Sequence, residues 1–319
     1  MRVTILVLAA LSRASALAPL ARLRGALSRA APAPEEPPEP WCPLDECEIP
    51  PEFSSVEKGL REGGVRASLL GAIGVAGRVL AEPSRIWRRD ADTKEPGKLI
   101  LIRHGQSTWN ANKTFTGWVD VDLSDVGVTE VEHAARLMLE RGLKPDVVYT
   151  SVLKRAIRSA WILLQESGAS FRPVVKDWRL NERHYGALQG RSKVGLVDVL
   201  SPEMVQAFRA GYDTRPPDLP DEHALSAFRE RKYQGLPPED LPRAESLRDC
   251  LARVAPCFAD RIRPDIEAGL TVVVVAHGNS LRGLVKAIEG LDDDVIERVG
   301  IPNGIPLVYE FERAAGGAL

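Results

Sequence analysis

The sequence predicts an α/β fold of three layers, in which a mostly parallel β-sheet carries helices on both faces. Two observations support this prediction. Short apolar runs alternate along the chain with segments that have helical periodicity. In addition, residues 271–276 form an apolar run dominated by β-branched side chains, which is typical of a strand buried on both faces.

Each predicted strand is followed by a predicted helix. The pairs are 99–102 with a helix that begins after Ser124, 146–150 with 154–166, and 271–276 with 279–288. Ser124 is a common helix-capping residue type, and the apolar positions that follow it recur at helical spacing. Gly168 stands where a helix-terminating glycine belongs. Alternating strands and helices favour a parallel sheet with both faces covered.

Two histidines directly follow predicted strands. His104 comes after the first strand and His277 after the last, and each is followed by a glycine. Ligands of parallel sheets bind beyond the carboxyl ends of the strands. We therefore expect both imidazoles to lie at one site.

Composition excludes several functional classes. The 319-residue chain is 44% hydrophobic and 27% charged, which is ordinary for a globular enzyme. A net charge of −2 argues against a nucleic-acid-binding protein, and no apolar run reaches the roughly 18 residues of a membrane span. The four cysteines are too few for a disulfide scaffold and have no metal-site spacing. The mature form is expected to be soluble, without a metal.

The composition of the N-terminal region indicates an organelle-targeting segment rather than part of the folded domain. Arg2 precedes an apolar run that ends at small residues, as in a signal peptide, and residues 17–34 contain arginines but no acid, as in a transit peptide. Residues 1–34 are therefore interpreted as a bipartite leader for a plastid, with a mitochondrial presequence as the alternative. Residues 35–97 are interpreted as a linker and extension of unknown role, and residues 98–319 are expected to form the folded domain.

The residues around the histidines suit phosphoryl transfer. A neutral imidazole is a competent nucleophile at phosphorus, and Arg103 places a permanent charge beside His104. Arginine binds phosphate oxygens through two parallel hydrogen bonds. Two histidines and several arginines around one phosphate can take the place of the metal ion that many phosphoryl-transfer sites use.

Several motifs share one resemblance. The opening motif is Leu-Ile-Arg-His-Gly-Gln-Ser-Thr-Trp-Asn at 101–110, and it resembles the histidine phosphatase superfamily. Further motifs lie at 115–118, 122–124, 149–156, 180–190, 276–282 and 301–310. In order and spacing they are similar to the 2,3-bisphosphoglycerate-dependent phosphoglycerate mutases. The resemblance covers about residues 98–313.

The resemblance implies a phosphoglycerate mutase-like fold and a reaction. 2-Phosphoglycerate and 3-phosphoglycerate would be interconverted, in glycolysis or gluconeogenesis, by a phosphohistidine enzyme primed by 2,3-bisphosphoglycerate. It implies His104 as nucleophile, Glu182 as general acid/base and His277 as stabiliser of phosphoryl charge, assisted by Arg103 and Arg155. The implied substrate contacts are Ser107, Asn110, Thr116, Gly117, Tyr185, Lys193, Arg209, Gly278 and Asn279. It also implies a homodimer.

Other interpretations stay open. One is a related phosphohistidine phosphatase that acts on a small phosphorylated metabolite. Another is a non-catalytic interaction protein, against which the intact set of His104, Glu182 and His277 speaks. His184 lies in the same motif as Glu182, and for it we expect a structural hydrogen bond rather than catalysis.

The sequence departs from the family at one ligand position. Arg209 is present, but Ala210 stands where the family has a second arginine. Loss of a hydrogen bond to a charged group costs about 1.5–3 kcal/mol. We hypothesise that Arg215 supplies the missing charge if its loop folds back.

The family also commonly continues as a tail near the active-site mouth, and ending at Leu319 would leave the site more exposed to water.

Overall fold

The computed structural model describes residues 3–7, 96–220 and 230–311. Its centre is a six-stranded sheet with the spatial order β1-β6-β2-β5-β3-β4. The strands are β1 (Val3–Val7), β2 (Lys98–Arg103), β3 (Val147–Thr150), β4 (Val174–Lys176), β5 (Val272–Ala276) and β6 (Leu307–Phe311). Strands β2, β5, β3 and β4 are parallel, whereas β6 is antiparallel to β2 and β1 is antiparallel to β6. The prediction of a mostly parallel sheet is confirmed.

Helices cover both faces of this sheet. They are α1 (Thr108–Ala111), α2 (Asp125–Glu140), α3 (Lys154–Glu166), α4 (Pro202–Ala210), α5 (Leu247–Cys257), α6 (Arg263–Glu267), α7 (Gly278–Glu289) and α8 (Asp293–Ile296). Helices α2 and α3 pack on one face, and α5 and α7 pack on the other. The three-layer α/β fold class is therefore confirmed.

The two cores follow from side-chain alternation along the strands. Leu99 and Val274 point to the face that carries α5 and α7, where Leu281 packs against them. Ile100 and Val273 point to the opposite face, under α2 and α3. Successive side chains of a strand point to opposite faces, so an unbroken apolar strand feeds both cores at once. Burying one such side chain stabilises the fold by about 1.5–3 kcal/mol.

The predicted helix boundaries have visible causes. Ser124 caps α2, and its hydroxyl accepts from the backbone N–H of Gly127. Helix α3 ends at Glu166, and Gly168 follows in the left-handed conformation with a φ of +64°. Asp146 lies just before β3 rather than in it, and its carboxylate accepts from the backbone N–H of Thr271 at 3.0 Å.

The described cysteines are structural. Cys250 and Cys257 are buried free thiols on α5. Burial raises the pKa of each thiol to about 12, so both stay protonated at neutral pH. Cys42 and Cys47 lie outside the described residues.

The predicted leader and extension also lie outside the described residues, except for residues 96–97 and for Val3–Val7, which form the edge strand β1. Within the described ranges, no helix has the length and apolar character that crossing a bilayer requires.

Candidate active site

The register of the sheet brings the two strand-end histidines together. In the parallel pair β2 and β5, Arg103 lies opposite Ala276. The next residue of each strand is therefore His104 or His277, and the backbone N–H of His104 donates to the Ala276 carbonyl at 2.9 Å. The two imidazole centroids lie 4.9 Å apart, with the rings edge to face. The expectation that both rings share one site is confirmed.

The backbone fixes the tautomer of His104. Its Nδ1 lies 2.6 Å from the Gly105 carbonyl oxygen, which can only accept, so Nδ1 carries the proton. The lone pair therefore sits on Nε2, where the Nε–H of Arg155 donates to it at 3.3 Å. Burial, reinforced by the charges of Arg155 and Arg103, lowers the pKa of His104 well below its ordinary value. The ring is neutral and nucleophilic at pH 7.

His277 is fully buried beside it. Its Nε2 lies 2.7 Å from the Ser151 hydroxyl, and Nδ1 has no partner among the described residues. The Nε of Arg103 is likewise buried and unpaired within the described chain. Burial, followed by the charge of Arg155, lowers the pKa of His277 well below its ordinary value. Unpaired buried polar atoms are uncommon in native proteins, and here two of them belong to residues at one site.

Glu182 is held by one carboxylate oxygen. Its Oε1 accepts from the backbone N–H of Arg183 at 2.9 Å, from the backbone N–H of Asn279 at 3.0 Å and from Asn279 Nδ2 at 3.1 Å. Among the described residues, no donor contacts Oε2. His277 is the N-cap residue of helix α7 and Asn279 lies in its first turn, so one helix start positions both the second imidazole and the support of the carboxylate.

A strongly basic cavity joins these groups. Its cationic lining residues are Arg103, Arg155, Lys193, Arg209 and Arg282, and Glu182 is the only acid among the described residues that line it. Burial, with the charges of Arg209 and Arg103, lowers the pKa of Lys193 to about 8. Burial likewise lowers the pKa of Arg155 to about 10, so its guanidinium stays charged at pH 7. Such a cavity suits a small ligand with several negative charges.

Most residues that the resemblance implied for the site border this cavity. They are Arg103, His104, Asn110, Thr116, Gly117, Arg155, Glu182, Tyr185, Lys193, Arg209, Gly278 and Asn279. His277 lies behind His104, in contact with its ring. Ser107 does not line the cavity, and its buried hydroxyl caps α1 by accepting from the Asn110 backbone N–H at 3.1 Å.

Sequence reasoning did not assign a site role to Arg282 or to residues 299–301, which also line the cavity. Arg282 was visible as the last residue of the motif at 276–282, three positions after Asn279 and therefore on the same helix face. Residues 299–301 carry no functional side chain, and only the fold brings their loop to the site.

Arg215 does not take the place of the missing arginine at position 210. Its side chain is half exposed and pairs with Asp218 at 3.1 Å, and it does not line the cavity. The hypothesis fails because the nearby carboxylate offers this guanidinium a local partner. Arg282 Nη2, in contrast, lies 3.4 Å from the Ala210 carbonyl oxygen.

His184 is structural, as expected. Its Nδ1 accepts from the backbone N–H of Gly186 at 3.0 Å, and burial lowers its pKa to about 3. Beside it, Arg253 and Glu245 form a bidentate pair with distances of 2.6 and 2.8 Å. Arg253 also donates to the Glu182 carbonyl at 2.8 Å, so this pair supports the backbone that carries the site carboxylate.

The chain is similar to proteins of a known family. The family model described as histidine phosphatase superfamily (branch 1) matches residues 99–236 and 219–317. A 2,3-bisphosphoglycerate-dependent phosphoglycerate mutase of Thermobifida fusca (strain YX) is 52% identical over 224 residues, or 69% of this chain and 91% of that protein. The enzyme of the same name from Corynebacterium kroppenstedtii is 50% identical over 215 residues, or 67% of this chain and 86% of that protein.

Solved structures share the fold. A protein described as mycobacterial hydrolase 1 superposes with a TM-score of 0.55 at 26% identity, covering 70% of this chain and 92% of that one. YhfR of Bacillus stearothermophilus superposes with a TM-score of 0.51 at 22% identity, covering 70% and 93%. With matching motifs, fold and relatives, the chain belongs to the histidine phosphatase superfamily and, within it, to the 2,3-bisphosphoglycerate-dependent phosphoglycerate mutases.

Proposed function

We propose that this enzyme interconverts 2-phosphoglycerate and 3-phosphoglycerate by way of a phosphoryl group carried on His104. The observation that carries the proposal is the tautomer of His104. The Gly105 carbonyl holds the proton on Nδ1, and Nε2 therefore presents its lone pair beside Arg155 and His277. A lone pair oriented in this way, in a ring that stays neutral, is what attack at phosphorus requires.

In the first half-reaction, the Nε2 lone pair forms a bond to phosphorus while the bond from phosphorus to the leaving oxygen breaks. Charge on the transferring group is stabilised by Arg155, and by His277 when the Ser151 hydroxyl donates to Nε2 and Nδ1 carries the proton. The unpaired Nε–H of Arg103 is a further donor. In the return transfer the nitrogen–phosphorus bond breaks, and a substrate hydroxyl oxygen takes the phosphoryl group.

Glu182 serves both directions as the proton carrier. Its protonated carboxyl gives a proton to the leaving oxygen, and its carboxylate takes the proton from the attacking hydroxyl. Because Oε1 is engaged by Arg183 and Asn279, the free oxygen Oε2 is the one that we assign to the substrate.

The residues present fit 2,3-bisphosphoglycerate as the priming ligand. Five cationic side chains line the cavity, and two buried polar atoms of the site lack a protein partner in the described chain. Lys193, Arg209 and Arg103 would hold its anionic groups, and the ligand supplies the phosphoryl group that charges His104. The donor set has no requirement for a metal, since guanidinium groups provide the positive charge.

A coupled assay tests this function. The full chain is incubated with 3-phosphoglycerate, with and without a trace of 2,3-bisphosphoglycerate, and 2-phosphoglycerate formation is followed through enolase. We expect turnover that is stimulated by the bisphosphate and lost in a His104→Ala enzyme. Release of inorganic phosphate without 2-phosphoglycerate would instead support the alternative, a phosphohistidine phosphatase of the same superfamily.

We also propose that the mature enzyme is a homodimer that reaches a plastid through its leader. Support comes from the family and from the composition of residues 1–34. Sedimentation of the purified enzyme tests the dimer. A fusion of residues 1–97 to a fluorescent protein, imaged in cells with plastids, tests the predicted organelle. Mitochondrial fluorescence would favour the alternative, a mitochondrial presequence.

A further inference from the structure

Arg282 is a cavity residue that the proposed chemistry does not use. Its side chain is buried and lies three residues after Asn279 on helix α7. Nε and Nη2 donate to the Ile296 carbonyl at 3.1 and 2.6 Å, which fastens the guanidinium to the end of α8. Nη1 donates to Asn279 Oδ1 at 3.1 Å. The guanidinium is therefore held rigidly against one specific amide.

That contact determines the orientation of the Asn279 amide. Arginine can only donate, so the oxygen of the amide must face Arg282 and the NH2 group must face the other way. On that other side, Nδ2 donates to Glu182 Oε1 at 3.1 Å and to the Tyr185 hydroxyl at 2.9 Å. A flipped amide would turn its oxygen toward the carboxylate and repel it.

We propose that Arg282 is a positioning residue for Glu182 and acts through Asn279. By locking the amide, it keeps Oε1 engaged and leaves Oε2 to the substrate hydroxyl. The inference rests on the proposed function, because it assumes that Glu182 carries the proton. It also couples the α8 end of the cavity wall to the catalytic carboxylate, since Ile296 and Asn279 share one guanidinium.

An alternative role for Arg282 is direct binding of substrate charge beside Ala210, where the family has a second arginine. The two roles predict different effects of an Arg282 substitution on substrates with different leaving groups. A positioning residue for the proton carrier matters for an alcohol leaving group, which needs a proton, and matters little for p-nitrophenolate, which leaves without one. A phosphate-binding cation matters for both substrates.

The experiment compares the wild type with Arg282→Met, Asn279→Ala and the double variant, all as full chains. For 3-phosphoglycerate we expect Arg282→Met to lower kcat by about 10- to 100-fold, the scale of a lost hydrogen bond near a charged group, with KM within about threefold. The single-turnover release of p-nitrophenolate, which reports phosphorylation of His104 without the later attack of water, should stay within about threefold. The double variant should be no slower than the slower single variant, because both act on one contact. Arg263→Met, at an exposed ion pair on α6, is the matched control.

The proposal is overturned if single-turnover release of p-nitrophenolate falls as far as mutase turnover, if the loss appears in KM alone, or if the two single effects multiply in the double variant. Should Arg282→Met fold poorly, Asn279→Asp provides the second test, because it keeps an oxygen for Arg282 and removes the donor to Glu182. Full kcat in that variant would also overturn the proposal. A wild type that forms no 2-phosphoglycerate would refute the proposed function instead. Phosphoryl transfer to His104 from 3-phosphoglycerate, compared with transfer from p-nitrophenyl phosphate, would still test the positioning role.

Discussion

Removal of the Arg253 guanidinium should destabilise the protein, because this group supports the backbone that carries the active-site carboxylate. Arg253 pairs with Glu245, and the two side chains are only 9% and 3% exposed. It also donates to the backbone carbonyls of Arg179, Asn181 and Glu182 at 2.7, 2.9 and 2.8 Å. An Arg253→Met substitution keeps much of the side-chain volume but leaves Glu245 as a buried carboxylate without its cation.

The expected loss is at the lower end of the range for a broken buried pair. Such losses are about 3–5 kcal/mol. Glu245 keeps one donor, the backbone N–H of His184 at 2.7 Å, which offsets part of the cost. We therefore expect Arg253→Met to lower the free energy of unfolding by about 3 kcal/mol. Urea denaturation followed by circular dichroism measures this change.

A second substitution checks the cause. Glu245→Gln in the Arg253→Met background removes the unpaired charge while keeping an acceptor for His184, so it should restore about 1 kcal/mol or more. Arg263→Met should change stability by less than about 1 kcal/mol, because its ion pair with Glu267 is about 40% exposed. An Arg253→Met enzyme within about 1 kcal/mol of the wild type would refute the reasoning.

Three further predictions concern packing, pH and ligand binding. Gly105→Ala should abolish most activity and lower the free energy of unfolding, because a Cβ there would lie 2.0 Å from the Gly127 carbonyl oxygen and neither backbone segment can move away. The coupled assay measures the activity, and thermal melts measure the stability. The KM for 3-phosphoglycerate should rise above about pH 8, because Lys193 carries its charge below its pKa of about 8 and loses it as the pH increases; a Lys193→Arg enzyme should lose this dependence. Arg215→Ala should leave that KM unchanged, because Arg215 pairs with Asp218 away from the cavity; a rise of tenfold would revive the hypothesis that it binds substrate.

The sheet, and the edge of the sheet at which the site lies, could be predicted because short stretches of sequence determine them. Apolar runs define the strands, Ser124 marks the start of one helix, and Gly168 marks the end of another. The register of two parallel strands then places His104 beside His277. The sequence shows that a glycine, Gly105, follows His104, but only the structure shows that the close approach of the α2 backbone requires it. A glycine in a sequence does not reveal which neighbour requires it.

The remaining parts of the site depend on contacts between distant segments. The role of Arg282 depends on the Asn279 amide and the Ile296 carbonyl, which the fold brings to its guanidinium. The failure of Arg215 to reach the cavity likewise depends on Asp218, three residues away, which competes for its guanidinium. Such competition between partners is decided by loop geometry, which neither periodicity nor spacing encodes.

The most direct test of the account locates the phosphoryl group itself. The enzyme is incubated with 2,3-bisphosphoglycerate, kept alkaline to preserve phosphohistidine, and examined by peptide mass spectrometry and by phosphorus NMR. Because the Gly105 carbonyl holds the proton on Nδ1, the phosphoryl group should be found on Nε2 of His104 and be absent from a His104→Ala enzyme. A phosphoryl group on His277, on Nδ1 of His104, or on neither histidine would contradict the account.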